Sequence, residues 1–355
     1  MPKTAKVIQL VEDYYILFII FVMHNLFDKI ISLENLFLAW DAFYKGKKGK
    51  EDVELFRMHL EDNIFSLHSQ LLSGTWRHGG YENFLISDPK TRQISKASVG
   101  DRVAQHAVFR ILEPVFDKTF IFDSWSCRVG KGTHKSVLRL HQKLEQLSKT
   151  NLDVWILKCD IRKFFENVNQ NILFEQIQRK IKDEKTLCLL RSIIFSVPSG
   201  LPLGNLTSQL FANIYFNCFD HFVKERLKAD IYLRYSDDFV LVSTSKQELE
   251  NSLLLIRNFL NKKLNLALHP DKISFRKYHW GIDWLGFVLY PNYRVMRRKT
   301  YSRMQNKIKS RVNDFLGNKI DYSELRSTLA SYDGILQHCS HSETRKHLFC
   351  LSKCL

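Results

Sequence analysis

Tyr235-Ser236-Asp237-Asp238 sets two adjacent carboxylates between two apolar, β-prone runs, Ile231-Tyr232-Leu233 and Phe239-Val240-Leu241-Val242. Packing side chains around paired negative charges is costly unless a cation neutralises them. The pattern therefore predicts a strand-turn-strand metal site with Asp237 and Asp238 in the turn itself. A third carboxylate, Asp160, ends another apolar run, Val154-Trp155-Ile156-Leu157-Lys158-Cys159. Carboxylates converging from two strands on Mg²⁺, with Mn²⁺ able to substitute, are what in-line nucleotidyl transfer requires. Two ions about 3.5–4 Å apart can activate an attacking hydroxyl and hold the leaving pyrophosphate. A single Asp at a strand end commonly caps a turn, but that explanation accounts for one of these carboxylates and not for three.

The residues around the carboxylates extend the chemistry. In Asp160-Ile161-Arg162-Lys163-Phe164-Phe165, Asp160 is expected to bind both ions, and Ile161 to add a backbone carbonyl. Asp237 is expected beside Asp160, with Asp238 as a weaker or supporting ligand. Phe165 is placed to lie beneath the incoming sugar, where an aromatic ring excludes a 2′-hydroxyl and favours deoxynucleotides. Lys272, in His269-Pro270-Asp271-Lys272-Ile273, is placed to protonate or steady the pyrophosphate.

Those groups need a scaffold, and the chain is long enough to supply one. Its 355 residues suffice for one large domain or two to three small ones, and a hydrophobic content of 45% supplies a core. Nothing in it is collagenous, repetitive or disordered in composition. The net charge is +16, and from Lys272 to the end 16 basic residues face 6 acidic ones. A basic lobe beyond an acidic motif suits a polyanion lying across the protein. The seven cysteines form no Cys-x-x-Cys pair and read as reduced thiols. The tail gathers His338, Cys339, His341, His347, Cys350 and Cys354, but an amphipathic helix explains their spacing better than zinc does. The apolar run Tyr14 to Met23 is too short to span a bilayer and lacks a small-residue cleavage site. Residues 1–22 are read as an upstream extension, with translation beginning at Met23.

Along the chain, residues 25–75 read as helices broken by the basic turn Lys45 to Lys50. A hairpin is expected around residues 84–94 and a helix from Asp101 to Phe116. A Gly- and Arg-containing loop covers 123–134, the strand ending at Asp160 follows, and then a helix around Ile172 to Ile181. Gly200-Leu201-Pro202-Leu203-Gly204 opens a long helix with a buried stripe of Phe211, Ile214, Tyr215, Cys218, Phe222 and Val223. After the Asp237-Asp238 hairpin come a helix from Gln247 to about Leu264, a hairpin around Trp284-Leu285-Gly286-Phe287, and basic helices over 300–355. Tyr293, Tyr301 and Tyr322 are expected in the core. Strands mixed with helices, without regular βαβ alternation, indicate an α+β fold.

At this point the residues resemble the reverse transcriptases, from about residue 25 to 350 and in the family's order. Pro89-Lys90-Thr91-Arg92 is similar to the fingertip segment whose Lys and Arg hold the triphosphate, and Ser124-Trp125-Ser126-Cys127-Arg128 to a fingers block that contacts the template. Asp160 to Phe165, Gly200 to Gln209, Tyr235 to Asp238, Lys272 and Trp284 to Phe287 are similar to the palm blocks and primer grip. The resemblance implies a right-hand polymerase fold with fingers, an antiparallel-sheet palm and a helical thumb. It divides the chain into a helical N-terminal segment (23–75), fingers (76–150), palm (151–292) and thumb (293–355). It assigns Lys90, Arg92, Phe165, Leu203 and Gly204 to dNTP binding. Arg128, Trp284, Leu285 and Gly286 fall to template and primer.

One departure narrows it. Most reverse transcriptases carry Gln-Gly-x-x-x-Ser-Pro where this chain has Leu203-Gly204-Asn205-Leu206-Thr207-Ser208-Gln209. That form resembles the diversity-generating retroelement group, as do Arg128 to His134 and Asn25 to Leu36. The subgroup implies error-prone copying of a template-repeat RNA into cDNA, with errors opposite adenines. It also implies a small basic accessory variability protein as partner and a cytoplasmic, prokaryotic or phage-encoded setting without a membrane. A reverse-transcriptase-derived phage-defence polymerase is the alternative. A non-catalytic RNA-binding or splicing-helper protein is the reading that intact Asp160, Asp237, Asp238 and Lys272 argue against.

Overall fold

The computed structural model describes residues 25–87, 90–150 and 153–340. Pro89, the proposed start at Met23, and the tail residues His341, His347, Cys350 and Cys354 lie outside them. The described residues divide into two compact units, each assembled from separated segments: one from 25–121, 161–222 and 257–267, the other from 122–160, 223–256 and 268–340.

The first unit is mainly helical. Helices Leu26–Ile31, Leu33–Tyr44, Glu51–Met58 and Leu60–Leu72 come first, and the basic turn at 45–50 interrupts them as expected. Ser32 caps the second of these by accepting a hydrogen bond from the Asn35 amide. Strands β1 (Tyr81–Ile86) and β2 (Arg92–Ala97) form the hairpin, with Ile86 opposite Arg92 at its tip. Helix Val99–Asp117 follows, capped by the Ser98 side chain. Two helices of this unit go beyond the expectation, Phe164–Asn167 and Glu184–Ile194, as does Thr133–Thr150 in the other. Glu184–Ile194 has a legible signature: Asp183 caps it, and Leu187, Leu190 and Ile194 recur at helical spacing.

The long helix is Leu206–His221, and it is not one-sided. Leu210, Ala212, Asn213, Phe216 and Phe219 are buried along with Phe211, Ile214 and Tyr215, whereas Cys218 is only half-buried. A helix packed on all sides loses the periodicity by which a single stripe is read. Residues 222–226 continue it as a π-helical turn that includes Phe222 and Val223.

The second unit holds a four-stranded antiparallel sheet in the order β4 (Ile231–Tyr235), β5 (Asp238–Ser243), β3 (Trp155–Asp160), β6 (Ser274–Lys277). Successive strand residues alternate between faces. Ile156, Val240 and Val242 pack in one cluster with Trp125, Val137, Leu140, Trp284 and Phe287. The loop carrying Trp125, helix Thr133–Thr150 and a second sheet supply those partners; the sheet is β7 (Ile282–Trp284), β8 (Phe287–Tyr290) and β9 (Tyr293–Met296). Helices Arg298–Leu316 and Tyr322–Leu336 share a separate core of Met296, Met304, Ile308, Leu325, Leu329 and Leu336.

Three expectations change here. Asp238 is not in the turn: it opens β5, opposite Tyr235 on one side and Asp160 on the other. The last hairpin gains a third strand, β9. Tyr293 and Tyr322 are exposed, and of the three tyrosines only Tyr301 packs against the helical core. Aromatic residues in a basic, sparsely apolar region cannot all find buried partners. Among the described residues no helix is long and apolar enough to cross a membrane.

Candidate active site

Strand register brings the carboxylates together. Asp160 is the last residue of β3 and its Cα partner is Asp238, the first residue of β5. Opposed residues of an antiparallel pair lie on one face with Cβ atoms about 4.5–5.5 Å apart. Asp237 sits in the two-residue turn before β5, and Ser236 beside it adopts a φ of +56°, which turns the chain sharply.

The electrostatics record the same proximity. Burial pushes the Asp238 carboxyl up to about 6, with Asp160 and Asp237 adding to the rise and Lys158 opposing it. Burial also raises Asp237, followed by the repulsion of Asp160. Asp160 is only 6% exposed; its Oδ2 accepts a 2.7 Å hydrogen bond from Lys272 Nζ, while its Oδ1 is buried without a partner. Among the described residues no group of three or more such side chains is placed to hold a metal ion, so the carboxylates are neighbours and not an assembled ligand set. An orphaned buried oxygen and two carboxyls pushed up by burial are the signature of hard oxygen donors short of positive charge. Donors of that kind suit a hard divalent ion.

Lys272 is delivered by the short turn Pro270–Lys272. That turn is anchored on β3 itself, because the His269 amide donates to the Asp160 carbonyl at 2.8 Å and the Lys272 amide to His269 O at 3.1 Å. A cavity of about 460 Å³ opens on this face, walled by Lys158, Asp238, Lys272, Arg276, Trp280 and Asp283 among others.

Two cations escaped the sequence reading. Lys158 stands two residues before Asp160, hence on the same face, and its Nζ donates to the Asp283 carbonyl at 3.0 Å. Arg234 is 1% exposed beneath the turn; Nη1 donates to Ser236 O at 3.1 Å and Nη2 to Ser124 Oγ at 3.0 Å. The loop carrying Ser124 is stitched to β4, since Trp125 N donates to Arg234 O and Arg234 N to Asp123 O. The available signal was a charged residue inside each apolar strand, which needs partners when buried.

The remaining candidates divide by surroundings. Trp284 is fully buried, and its Nε1 donates to Ser136 Oγ at 3.1 Å, so it anchors the hairpin and presents nothing to solvent. Buried in this way, Trp284 has no exposed face for the template or primer contact expected of it, and the hairpin turns at Leu285-Gly286. Both turn residues have positive φ, as a two-residue hairpin connection demands. Arg128 is half-buried, and its Nη1 donates to Ser124 O at 3.0 Å.

Within the first unit, Lys90 and Arg92 are exposed at the tip of the β1–β2 hairpin. Ile161 follows Asp160 with its side chain buried, so its available group is the backbone carbonyl. Phe165 is half-buried, and its carbonyl accepts a 2.7 Å hydrogen bond from the Leu201 amide. Gly200 makes that approach feasible: its φ is +68°, and a Cβ there would lie 2.5 Å from Phe165 O. Leu203 is half-buried, its carbonyl accepting from Ser95 N at 2.8 Å, and Gly204 lies so close that a Cβ would fall 2.7 Å from Ser95 O. The Leu203-Gly204 loop is thus seated on β2, the strand that begins with Arg92.

Residues 87–289 match the family model described as reverse transcriptase (RNA-dependent DNA polymerase). Protein YkfC of Escherichia coli K12 is 25% identical over 295 residues, covering 71% of this chain and 76% of YkfC. The group II intron-encoded protein LtrA of Lactococcus lactis is 26% identical over 259 residues, and there the match covers 68% of this chain but only 41% of LtrA. Among solved structures, apo telomerase from Candida tropicalis superposes with a TM-score of 0.50 at 14% identity, covering 64% of this chain and 50% of that one. At that identity the likeness speaks for the right-hand polymerase fold alone.

Proposed function

Because the chain belongs to the reverse transcriptase (RNA-dependent DNA polymerase) family, we propose that it copies RNA into DNA at the β3–β5 carboxylates, as the polymerase of a diversity-generating retroelement. The observation that carries the catalytic reading is the pairing of Asp160 with Asp238 beside Asp237, with a buried oxygen of Asp160 left without a partner.

In this proposal Asp160, Asp237, Asp238 and the Ile161 carbonyl hold two Mg²⁺ ions, with Mn²⁺ able to substitute. When bound, the ions would lower the pKa of the primer 3′-hydroxyl and neutralise charge on the phosphates. The protein's own groups do the rest. Lys272 faces the leaving pyrophosphate as a proton donor or fixed charge. Lys158 holds Asp238 towards its ionised form, consistent with its lowering influence on that carboxyl. Phe165 closes the space a ribose 2′-hydroxyl would need. Lys90 and Arg92 bind the triphosphate, Leu203 and Gly204 border the nucleotide, and Arg128, Leu285 and Gly286 guide template and primer. The basic helices after Arg297 bind template RNA and cDNA through phosphate contacts, so binding weakens steeply with salt. A small basic accessory protein completes the assembly in the cytoplasm, the polymerase being prokaryotic or phage-encoded.

The subtype rests on Leu203. A glutamine there could hydrogen-bond near the nucleotide under selection, and leucine cannot. Loss of one positioned polar contact removes on the order of 1 kcal/mol of discrimination, a several-fold relaxation. Primer extension on an RNA template is expected to give full-length cDNA with errors concentrated opposite adenine, and Leu203→Gln to reduce those errors several-fold. An unchanged error spectrum in the variant would remove Leu203 from fidelity; no extension with intact RNA binding would favour a helper protein.

The similarity to LtrA supports a second reading, a polymerase working with a structured intron RNA. Stimulation by intron RNA in place of a template-repeat RNA would separate the two.

A further inference from the structure

The contact between Lys272 and Asp160 bears on how the site is kept before it is loaded, an inference that rests on the metal reading above. We propose that Lys272 is a tethered cation that holds Asp160 in the ion-free protein and is expelled when a divalent ion binds. Ion entry and release of the lysine are then one event.

The geometry supplies each part. Nζ of Lys272 lies 2.7 Å from Asp160 Oδ2, the one oxygen of that carboxylate with a partner in the site, while Oδ1 is buried and unsatisfied. A carboxylate this buried beside two others needs compensation in every state of the protein. Lysine is suited to a temporary role: its ammonium is a point charge on a flexible four-carbon stem, free of the fixed fork of arginine. Its side chain is 38% exposed against 9% for that of Asp160, so the cation has a route to water and the anion does not. The turn bearing it is also anchored to β3 through the backbone, by the His269 amide on the Asp160 carbonyl, so the side chain can swing while its Cα stays fixed.

An ion bound to Asp160 lies within a few ångströms of the ammonium whichever carboxylate oxygen it takes, and repulsion between the two cations drives the lysine out. Once displaced, Lys272 is available to the phosphates of an incoming nucleotide. The proton donor is therefore withheld until the site is charged, and an ion-free site does not collapse on its own repulsion.

The test uses the full chain with Mn²⁺ alone, without nucleotide or nucleic acid. Amine labelling read by mass spectrometry should show Lys272 becoming several-fold more reactive as Mn²⁺ is added, while exposed Lys149 does not change. Asp160→Asn should leave Lys272 reactive without any ion. Lys272→Met should bind Mn²⁺ several-fold more tightly by electron paramagnetic resonance titration. If Mn²⁺ binds and the reactivity of Lys272 is unmoved, the latch is refuted and the metal site stands. If Mn²⁺ does not bind at all, both fail.

Discussion

Asp237→Asn is expected to lower dNTP incorporation about a thousandfold, while raising the melting temperature of the ion-free protein. The two effects have one cause. Asparagine keeps the shape of the side chain and removes its charge. Losing several kcal/mol of charge stabilisation at the reacting phosphate corresponds to about three factors of ten in rate. The same charge is a burden before ions arrive, because burial and Asp160 raise the Asp237 carboxyl above its usual range. A carboxyl raised on folding costs stability at pH values above its folded pKa, and the cost fades as the pH falls through that value. The gain in melting temperature should therefore be present at pH 7 in chelator and shrink as the buffer is acidified. Single-turnover kinetics and thermal melts would check the pair. A variant retaining more than a tenth of the rate, or melting lower than the parent at pH 7, is incompatible with this role.

Arg234→Met should be the most damaging change outside the carboxylates. The guanidinium is buried and ties the Ser236 carbonyl, in the turn that carries Asp237, to the Ser124 hydroxyl. Methionine replaces the stem and none of the donors, leaving buried acceptors unsatisfied at a cost of about 3 kcal/mol. For a unit of this size, that loss corresponds to roughly 6–12 °C in melting temperature. Incorporation should fall as well, because Asp237 loses the support of its turn. A variant melting within 2 °C of the parent would show that the turn is held by other means.

How much of this the sequence announced depends on how each group is presented. The carboxylates were legible because unpaired charge between apolar runs has few explanations, and the two strands that carry them followed from the same runs. The placement of Asp238 was misread by one position: a two-residue turn uses Ser236 and Asp237, and register decides that only once the strands pair. Lys158 and Arg234 were hidden because basic residues are common in a chain with 53 of them; burial marks Arg234, and a place on the Asp160 face of β3 marks Lys158. Trp284 carried a motif's identity without its exposure; whether an aromatic ring faces core or solvent depends on helix Thr133–Thr150, remote in sequence, whose Ser136 meets it. The helix Leu206–His221 failed the single-stripe reading for the opposite reason, since burial on every side erases periodicity.

The central claim is that Asp160, Asp237 and Asp238 share divalent ions during DNA synthesis on RNA. The most direct measurement is anomalous diffraction from crystals of the chain with an RNA template, a primer lacking its 3′-hydroxyl, a matched dNTP and Mn²⁺. Manganese peaks between the three carboxylates, with Lys272 turned away from Asp160, are the expected result. Manganese located elsewhere, with Lys272 still bonded to Asp160 in a complex that has bound its nucleotide, would contradict it.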